Sequence, residues 1–159
     1  MTKVFMRPRS VMAGVVAGIA GAILIALCVY FAQVVVLRPG VPFTFVQLFQ
    51  FDASVLVQKV AYTDPSYALL GALLHLLVSI GWGIGYAYMA ERQAQLLSAP
   101  FRSGLGFGLV VYFAMQLVLV AGNLFVQPTP AGFGMQLVEH CLFFGVPIAY
   151  IVARMMRAA

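Results

Sequence analysis

The chain of 159 residues is 64% hydrophobic and only 8% charged, with a mean hydropathy of +1.03. Soluble domains carry about 25% charged residues, and a soluble chain this short could not bury so much apolar surface, so the composition predicts an integral membrane protein. The net charge of +5 does not indicate a nucleic-acid partner, because the basic residues stand at the ends of apolar runs and form no stripe. The expected partner is the lipid bilayer.

Four apolar stretches are long enough for a transmembrane helix, which needs about 20 residues. They are residues 10–37, 66–90, 103–127 and 134–154. The first follows a basic leader, but it exceeds the roughly 15 apolar residues of a signal peptide, so we expect it to be retained. The predicted fold class is an all-α membrane protein: one integral membrane domain over residues 1–159, folded as a four-transmembrane-helix bundle.

The connection between the first two spans, residues 38–64, is apolar but contains Asp52, a lysine and several glutamines. It is too interrupted for a fifth span, and an irregular loop in lipid would leave backbone groups unpaired. We therefore expect an interfacial helix on the outer side, in two pieces with Asp52 capping the second. Asp64 as N-cap and Pro65 in the first turn then predict the start of the second span.

The remaining connections are short. The stretch "ERQAQLLSAPFR" predicts a polar turn between the second and third spans, and "QPTPAGFG" breaks the chain between the third and fourth. Pro147 removes a backbone hydrogen bond within the fourth span and predicts a kink that frees the carbonyl of Phe143.

The basic residues predict the orientation. If the N-terminus is cytoplasmic, seven of the nine lysines and arginines lie inside. These are Lys3, Arg7, Arg9, Arg92, Arg102, Arg154 and Arg157, while Arg38 and Lys59 lie outside. Because cytoplasmic loops carry an excess of basic residues, we expect both termini to be cytoplasmic.

Small residues recur four apart in three of the spans. The rows are Gly14 and Gly18 with Ala22, Gly81 with Gly85, and Gly104 with Gly108. Such rows allow close helix packing, within the bundle or against other membrane subunits or a second copy of the chain. An internal repeat is a further hypothesis, because the first and third spans both open with Arg-Ser and the second and fourth each carry a histidine and a tyrosine.

Polar residues concentrate in the outer half of the predicted bundle. They are His75, Ser79, Gln116, Asn123, Gln136, Glu139 and His140. At 1.5 Å per residue, His75 lies roughly 15 Å deep and His140 roughly 9 Å deep, and Gln116 and Asn123, seven apart, share a face. An unpaired imidazole in hydrocarbon would cost several kcal/mol. We expect both rings to point into one shared cavity beneath residues 38–64, with the other polar residues in support.

Three functions fit this pattern. The polar residues can serve packing in a non-catalytic membrane protein or accessory subunit. Alternatively, His75 and His140 can bind haem b or a metal ion for electron transfer, with Gly71 leaving room for a flat ring. Thirdly, the chain can be a small carrier of protons, ions or solutes, using Glu139 and His140. No nucleophile–base pair, phosphate-binding loop or paired carboxylates appear, so an independent enzyme is not expected.

Two stretches carry a resemblance to known proteins: "QFDAS…GALLHLLVSIGWGIGYAYM" and "LVEHCLFFGVPIAY". They resemble a group of small bacterial inner-membrane proteins that have no assigned function. The shared features are four predicted helices, an Ala-Ser pair in the outer segment, and a histidine in each of the second and fourth helices. The resemblance implies a bacterial inner membrane and directs attention to His75 and His140, and it implies no activity.

Overall fold

The structure, a computed structural model, describes residues 6–157, and that range is helical with no strand. Lys3, one of the basic residues used to predict the orientation, lies outside the described residues. The helices are α1 (Pro8–Phe31), α2 (Phe45–Val57), α3 (Tyr67–Arg92), α4 (Ala94–Ser98), α5 (Pro100–Ala121), α6 (Pro130–Val138) and α7 (Val146–Arg157). A π-helix, Ala32–Leu37, extends α1, a 3₁₀ turn, Gln58–Tyr62, follows α2, and a second π-helix, Glu139–Gly145, joins α6 to α7.

Four continuous helical stretches are long and apolar enough to cross a membrane. They are Pro8–Leu37, Tyr67–Arg92, Pro100–Ala121 and Pro130–Arg157, of 30, 26, 22 and 28 residues. Within residues 6–157, the prediction of an all-helical fold with four such helices is therefore confirmed. Several helix ends and connections differ from the predicted ones.

The second long helix begins slightly later than predicted. Asp64 does not cap α3, whose first residue is Tyr67, but its Oδ1 accepts a hydrogen bond of 2.7 Å from the backbone N–H of Ser66. This is an Asx-type turn, in which a short acidic side chain satisfies the backbone just before a helix. The backbone hydrogen bond from Ser66, with the side-chain one, lowers the pKa of Asp64.

The third long helix ends earlier than predicted, at Ala121. Asn123 has a φ of 55°, the N–H of Leu124 donates to the carbonyl of Leu119 (2.8 Å) and that of Asn123 to the carbonyl of Val120 (3.1 Å). These two bonds and the left-handed residue define a Schellman motif, which stops a helix. The predicted shared helix face of Gln116 and Asn123 is therefore wrong, because Asn123 lies beyond the helix.

Two connections are more ordered than predicted. Residues Phe45–Val57 form one helix, not two pieces, and Asp52 lies inside it. Its cap is Thr44, which accepts from the N–H of Gln47 while the Gln47 side chain accepts from the N–H of Thr44, a capping box. The polar turn between the second and third spans contains the short helix α4, whose Leu96 and Leu97 pack against the core.

Glycines allow the long helices to meet in two pairs. Gly14 and Gly18 of α1 lie against the α3 backbone at Gly83, so closely that a Cβ on any of the three would overlap backbone atoms. In the same way, Gly104 and Gly108 of α5 lie against Gly145. The two pairs are hairpins: α1 with α3, and α5 with the fourth long helix. In each hairpin, two glycines four apart on the first helix pack around one glycine of the second. This contact pattern repeats between the two halves of the chain.

The repeat has one irregularity, at the second π-helix. Gly18 meets the carbonyl of Ser79, four residues before Gly83, whereas Gly108 meets the carbonyl of His140, five residues before Gly145. A π-helix adds a residue to a helical turn, which accounts for the extra step. Pro147 lies two residues after this π-helix, in the first turn of α7, and the kink predicted there stays a prediction.

The two hairpins join through α1 and α7. Helix α1 packs against α3, α7 and the second π-helix, while α5 packs against α7 and that π-helix. Small and aromatic residues fill the centre, among them Ala13, Ala17, Tyr86, Phe107 and Ile148. Helix α2 packs on α3 at the opposite end from the chain termini, where it buries Leu48, Gln50, Ala53 and Ser54.

Candidate functional site

His75 is held by two other helices. It is the ninth residue of α3 and lies about 12 Å along the helix from Tyr67. Its Nε2 is 3.1 Å from the carbonyl oxygen of Ala22 in α1, and its Nδ1 is 3.2 Å from Oδ2 of Asp52 in α2. The side chains of His75 and Asp52 are 19% and 25% exposed. His75, which the sequence predicts to need a partner, therefore has a protein group facing each of its two ring nitrogens.

The tautomer of His75 follows from the contact with Ala22. A carbonyl oxygen can only accept a hydrogen bond, so Nε2 carries a proton and donates it. Nδ1 is the nitrogen that faces Asp52. That contact has an ion-pair distance without hydrogen-bond geometry, and Oδ2 is a buried oxygen with no hydrogen-bond partner among the described residues.

Asp52 can reach His75 because α3 has a glycine, Gly71, at the point where α2 packs against it. A Cβ at Gly71 would overlap the carbonyl oxygen of Phe49, so only glycine lets α2 come this close. The ring of Phe49 then meets the imidazole of His75 edge-on, with centroids 5.8 Å apart. Gly71, predicted to leave room for a flat cofactor, instead leaves room for the backbone of α2.

His140 has different partners. Its Nδ1 is 2.8 Å from the carbonyl oxygen of Gln136, one turn earlier, so Nδ1 carries a proton and donates it. The ring of Tyr112 in α5 stands edge-on to it at 5.5 Å. The side chain of Gln116 donates to that of Gln136 at 3.1 Å. Three predicted site residues, Gln116, Gln136 and His140, therefore come together between α5 and the fourth long helix.

The other predicted site residues do not join either group of contacts. Ser79 is buried on α3 one turn after His75, and its carbonyl meets Gly18. Glu139 opens the second π-helix and is 4% exposed. Asn123 is exposed beyond the end of α5. The hydrogen bonds and ring contacts of the two histidines involve different residues, and the single shared cavity stays a prediction.

Two pockets are formed elsewhere on the molecule. One, of about 260 Å³, lies at the end where the termini meet and is lined by residues such as Arg7, Arg9 and Glu91. There Arg7 Nε pairs with Glu91 Oε1 at 2.8 Å. The other, of about 560 Å³, is an aromatic groove between α5 and α6 that includes Tyr112, Gln116 and Phe133. Neither pocket is lined by His75 or His140.

Asp52 is the residue that sequence reasoning missed as part of the site. Its signal is a single carboxylate in the apolar sequence "FVQLFQFDASVLV", which we interpreted as a helix cap. A carboxylate on an otherwise apolar helix needs a partner as much as a buried imidazole does. The simplest prediction pairs the carboxylate of Asp52 with the imidazole of His75.

Residues 6–157 contain no group of three or more His, Cys, Asp or Glu side chains placed to hold a metal ion. No family model, curated protein or solved structure significantly matches the chain. Function is therefore inferred from the residues themselves.

Proposed function

We propose that this chain is a small multi-pass protein of a bacterial inner membrane, with one integral domain and both termini cytoplasmic. Support comes from the outward faces of the long helices, where residues such as Ile23, Leu77 and Leu117 remain 56%, 66% and 70% exposed. A soluble protein rarely leaves so much apolar surface uncovered, whereas lipid would cover it. The basic residues at the end where the termini meet support the orientation.

Helix α2, in this proposal, is the interfacial helix between the first and second spans. It follows the first long helix at the end remote from the chain termini, and its faces are unequal. Ala53 and Ser54 are fully buried against the bundle, while Phe51 and Leu56 are 43% and 59% exposed. Such a helix can rest at the headgroup boundary with its apolar residues in lipid.

The biochemical role that the geometry supports best is that of a non-catalytic membrane protein, free-standing or an accessory subunit. One observation carries this: both ring nitrogens of His75 face protein groups, the carbonyl of Ala22 and the carboxylate of Asp52. Polar groups of this kind fasten helices together in a membrane, where each such hydrogen bond contributes about 0.6 kcal/mol on average.

Haem b or a metal ion is the alternative that these contacts favour least. A histidine ligand offers a free lone pair to the metal, but Nε2 of His75 carries a proton and Nδ1 faces Asp52. Joint ligation with His140 would require His75 to leave both partners. The residues as arranged therefore do not fit a haem shared between the two rings.

Movement of protons or ions remains a second candidate, favoured by one observation. Glu139 is a carboxylic acid only 4% exposed inside the fourth long helix, and ionisable groups buried within spans commonly mark ion paths. Proton or ion flux into proteoliposomes, lost in Glu139→Gln, would support this candidate over the first.

In this proposal, other membrane subunits or a second copy of the chain pack against the exposed glycines of α3. The rows at Gly14 and Gly104 are used inside the chain, whereas none of the other helices in the described residues packs over Gly81 or Gly85. They leave a shallow face of the kind on which membrane helices associate.

An absorption spectrum and metal analysis of detergent-purified protein test the proposed role. We expect a colourless, metal-free protein whose His75→Ala variant loses thermal stability. A visible haem spectrum, or a stoichiometric metal ion lost in both His75→Ala and His140→Ala, would overturn the proposal and restore the electron-transfer alternative.

A further inference from the structure

As arranged, the contact between Asp52 and His75 lacks a hydrogen-bond donor. Nε2 of His75 already donates to Ala22, so a neutral ring would present the lone pair of Nδ1 to Oδ2 at 3.2 Å. An ionised carboxylate also presents only lone pairs. Two acceptors at this distance repel each other, and here Oδ2 is buried with no other hydrogen-bond partner among the described residues.

We infer that Asp52 and His75 together bind one proton, and that this proton fastens α2 to the bundle. With it, the pair is either an imidazolium beside a carboxylate or an imidazole beside a carboxylic acid, and in both forms one donor faces one acceptor. The proton comes from the water on the outer side, which the 25% exposed side chain of Asp52 can reach. The inference rests on the proposed function, since it requires His75 to be free of a cofactor.

The proton acts on α2 because few other polar contacts hold this helix. Gln50 Nε2 donates to the carbonyl of Asp64 at 3.2 Å, a contact within the outer segment itself. Gln58, just beyond the helix, donates to the carbonyl of Gly122 at 3.0 Å. The contact of Asp52 with His75 joins α2 directly to α3, which neither glutamine contact does. Loss of its proton would place two lone pairs against each other between these helices.

No other charged side chain of the packed helices competes for this proton. Asp52 is the only ionisable residue of α2, and α1 has no charged residue between Arg9 and Arg38, although Cys28 and Tyr30 lie on its outer half. In α3, Glu91 and Arg92 stand at the far end of the helix. The outer connection adds Lys59, Tyr62 and Asp64, which are exposed, and the fourth long helix adds Glu139 and His140.

Hydrogen–deuterium exchange of full-length protein in lipid nanodiscs tests the inference. Protection of residues 45–57, referenced to α5 in the same sample, is followed from about pH 6 to about pH 9, the range in which histidine-linked protons are released. A docking equilibrium linked to one proton weakens about tenfold per pH unit over the range in which the docked pair still holds a proton that the undocked state has released. We expect α2 to lose protection in this way as the pH rises while α5 does not.

Asp52→Asn is the matched variant. Its amide can donate to Nδ1 of His75, so the contact persists without a titrating proton, and the pH dependence of α2 protection should vanish. His75→Gln, which keeps an amide donor for Ala22, should abolish it as well and serves if Asp52→Asn does not fold. Equal pH dependence in the wild type and in either variant would overturn the inference, as would constant protection in the wild type.

The two proposals fail separately. A haem spectrum or a bound metal would defeat the proposed function and remove the basis of the inference. A colourless, metal-free protein whose α2 protection ignores pH would defeat the inference alone and leave the packing role intact.

Discussion

At the scale of a residue, His75 and its two partners, Ala22 and Asp52, connect three helices. An imidazole in an apolar helix must have a partner, and this follows from the cost of burying an unpaired polar group. The partner cannot be read from helical periodicity, because Asp52 lies on another helix and reaches His75 through a tertiary contact. The close approach depends on Gly71, whose role is visible only once α2 lies on α3.

The contribution of Asp52 can be measured by truncation. Asp52→Ala leaves Nδ1 of His75 without its partner, so we expect the free energy of unfolding to fall by about 0.6–2 kcal/mol. Reversible unfolding in mixed detergent micelles at neutral pH measures the change. Asp64→Asn is the control, since its exposed side chain can still accept from the N–H of Ser66 and any loss of stability should be smaller. Equal losses in the two variants would show that Asp52 has no specific role.

At the scale of elements, composition and length predict the four long helices because each needs a continuous apolar run. Their ends were harder to predict. The predicted third span runs to residue 127, although "AGNLF" contains the asparagine that takes the left-handed position after Ala121. The prediction also divides the outer helix at Asp52, although "TFVQ" carries the Thr-x-x-Gln signature of a capping box at Thr44. Both signals are local and lie close to more prominent residues.

The glycine contacts predict opposite effects on stability for Gly18 of α1, which packs against α3, and for Gly85, which lies on the exposed face of α3. Gly18→Ala would place a Cβ against the backbone of Ile80 and should destabilise the fold by about 1–3 kcal/mol, as overpacking does. Gly85→Ala meets open space and gains helix propensity, so it should leave stability unchanged or raise it by up to about 1 kcal/mol. Thermal unfolding of the purified variants separates the two.

The second hairpin should behave in the same way if the repeated contact pattern matters. Gly108→Ala would collide with the backbone at His140 and Cys141, whereas Gly106→Ala on the same helix meets nothing. We expect the first to destabilise and the second to be tolerated. Similar behaviour of Gly106→Ala and Gly108→Ala would mean that the close approach of α5 to the second π-helix does not contribute to stability.

At the scale of the whole molecule, the number and helical nature of the elements follow from composition, but the pairing of helices does not. The sequence shows three rows of glycines, and only packing reveals that Gly83, outside those rows, faces Gly14 and Gly18. Gly81 and Gly85, which do form a row, face away from the bundle. Small-residue spacing therefore predicts that helices pack closely without saying which face is used.

The account depends most on the arrangement of the chain across a membrane, with α2 outside and the α3–α5 connection inside. Single cysteines at the exposed positions Lys59 and Gln95, in a background with Cys28 and Cys141 replaced by alanine, report both sides in bacterial cells. We predict that a membrane-impermeant maleimide labels Lys59→Cys in intact cells and Gln95→Cys only after permeabilisation. Labelling of Gln95→Cys in intact cells, or recovery of the chain in the soluble fraction, would contradict the account.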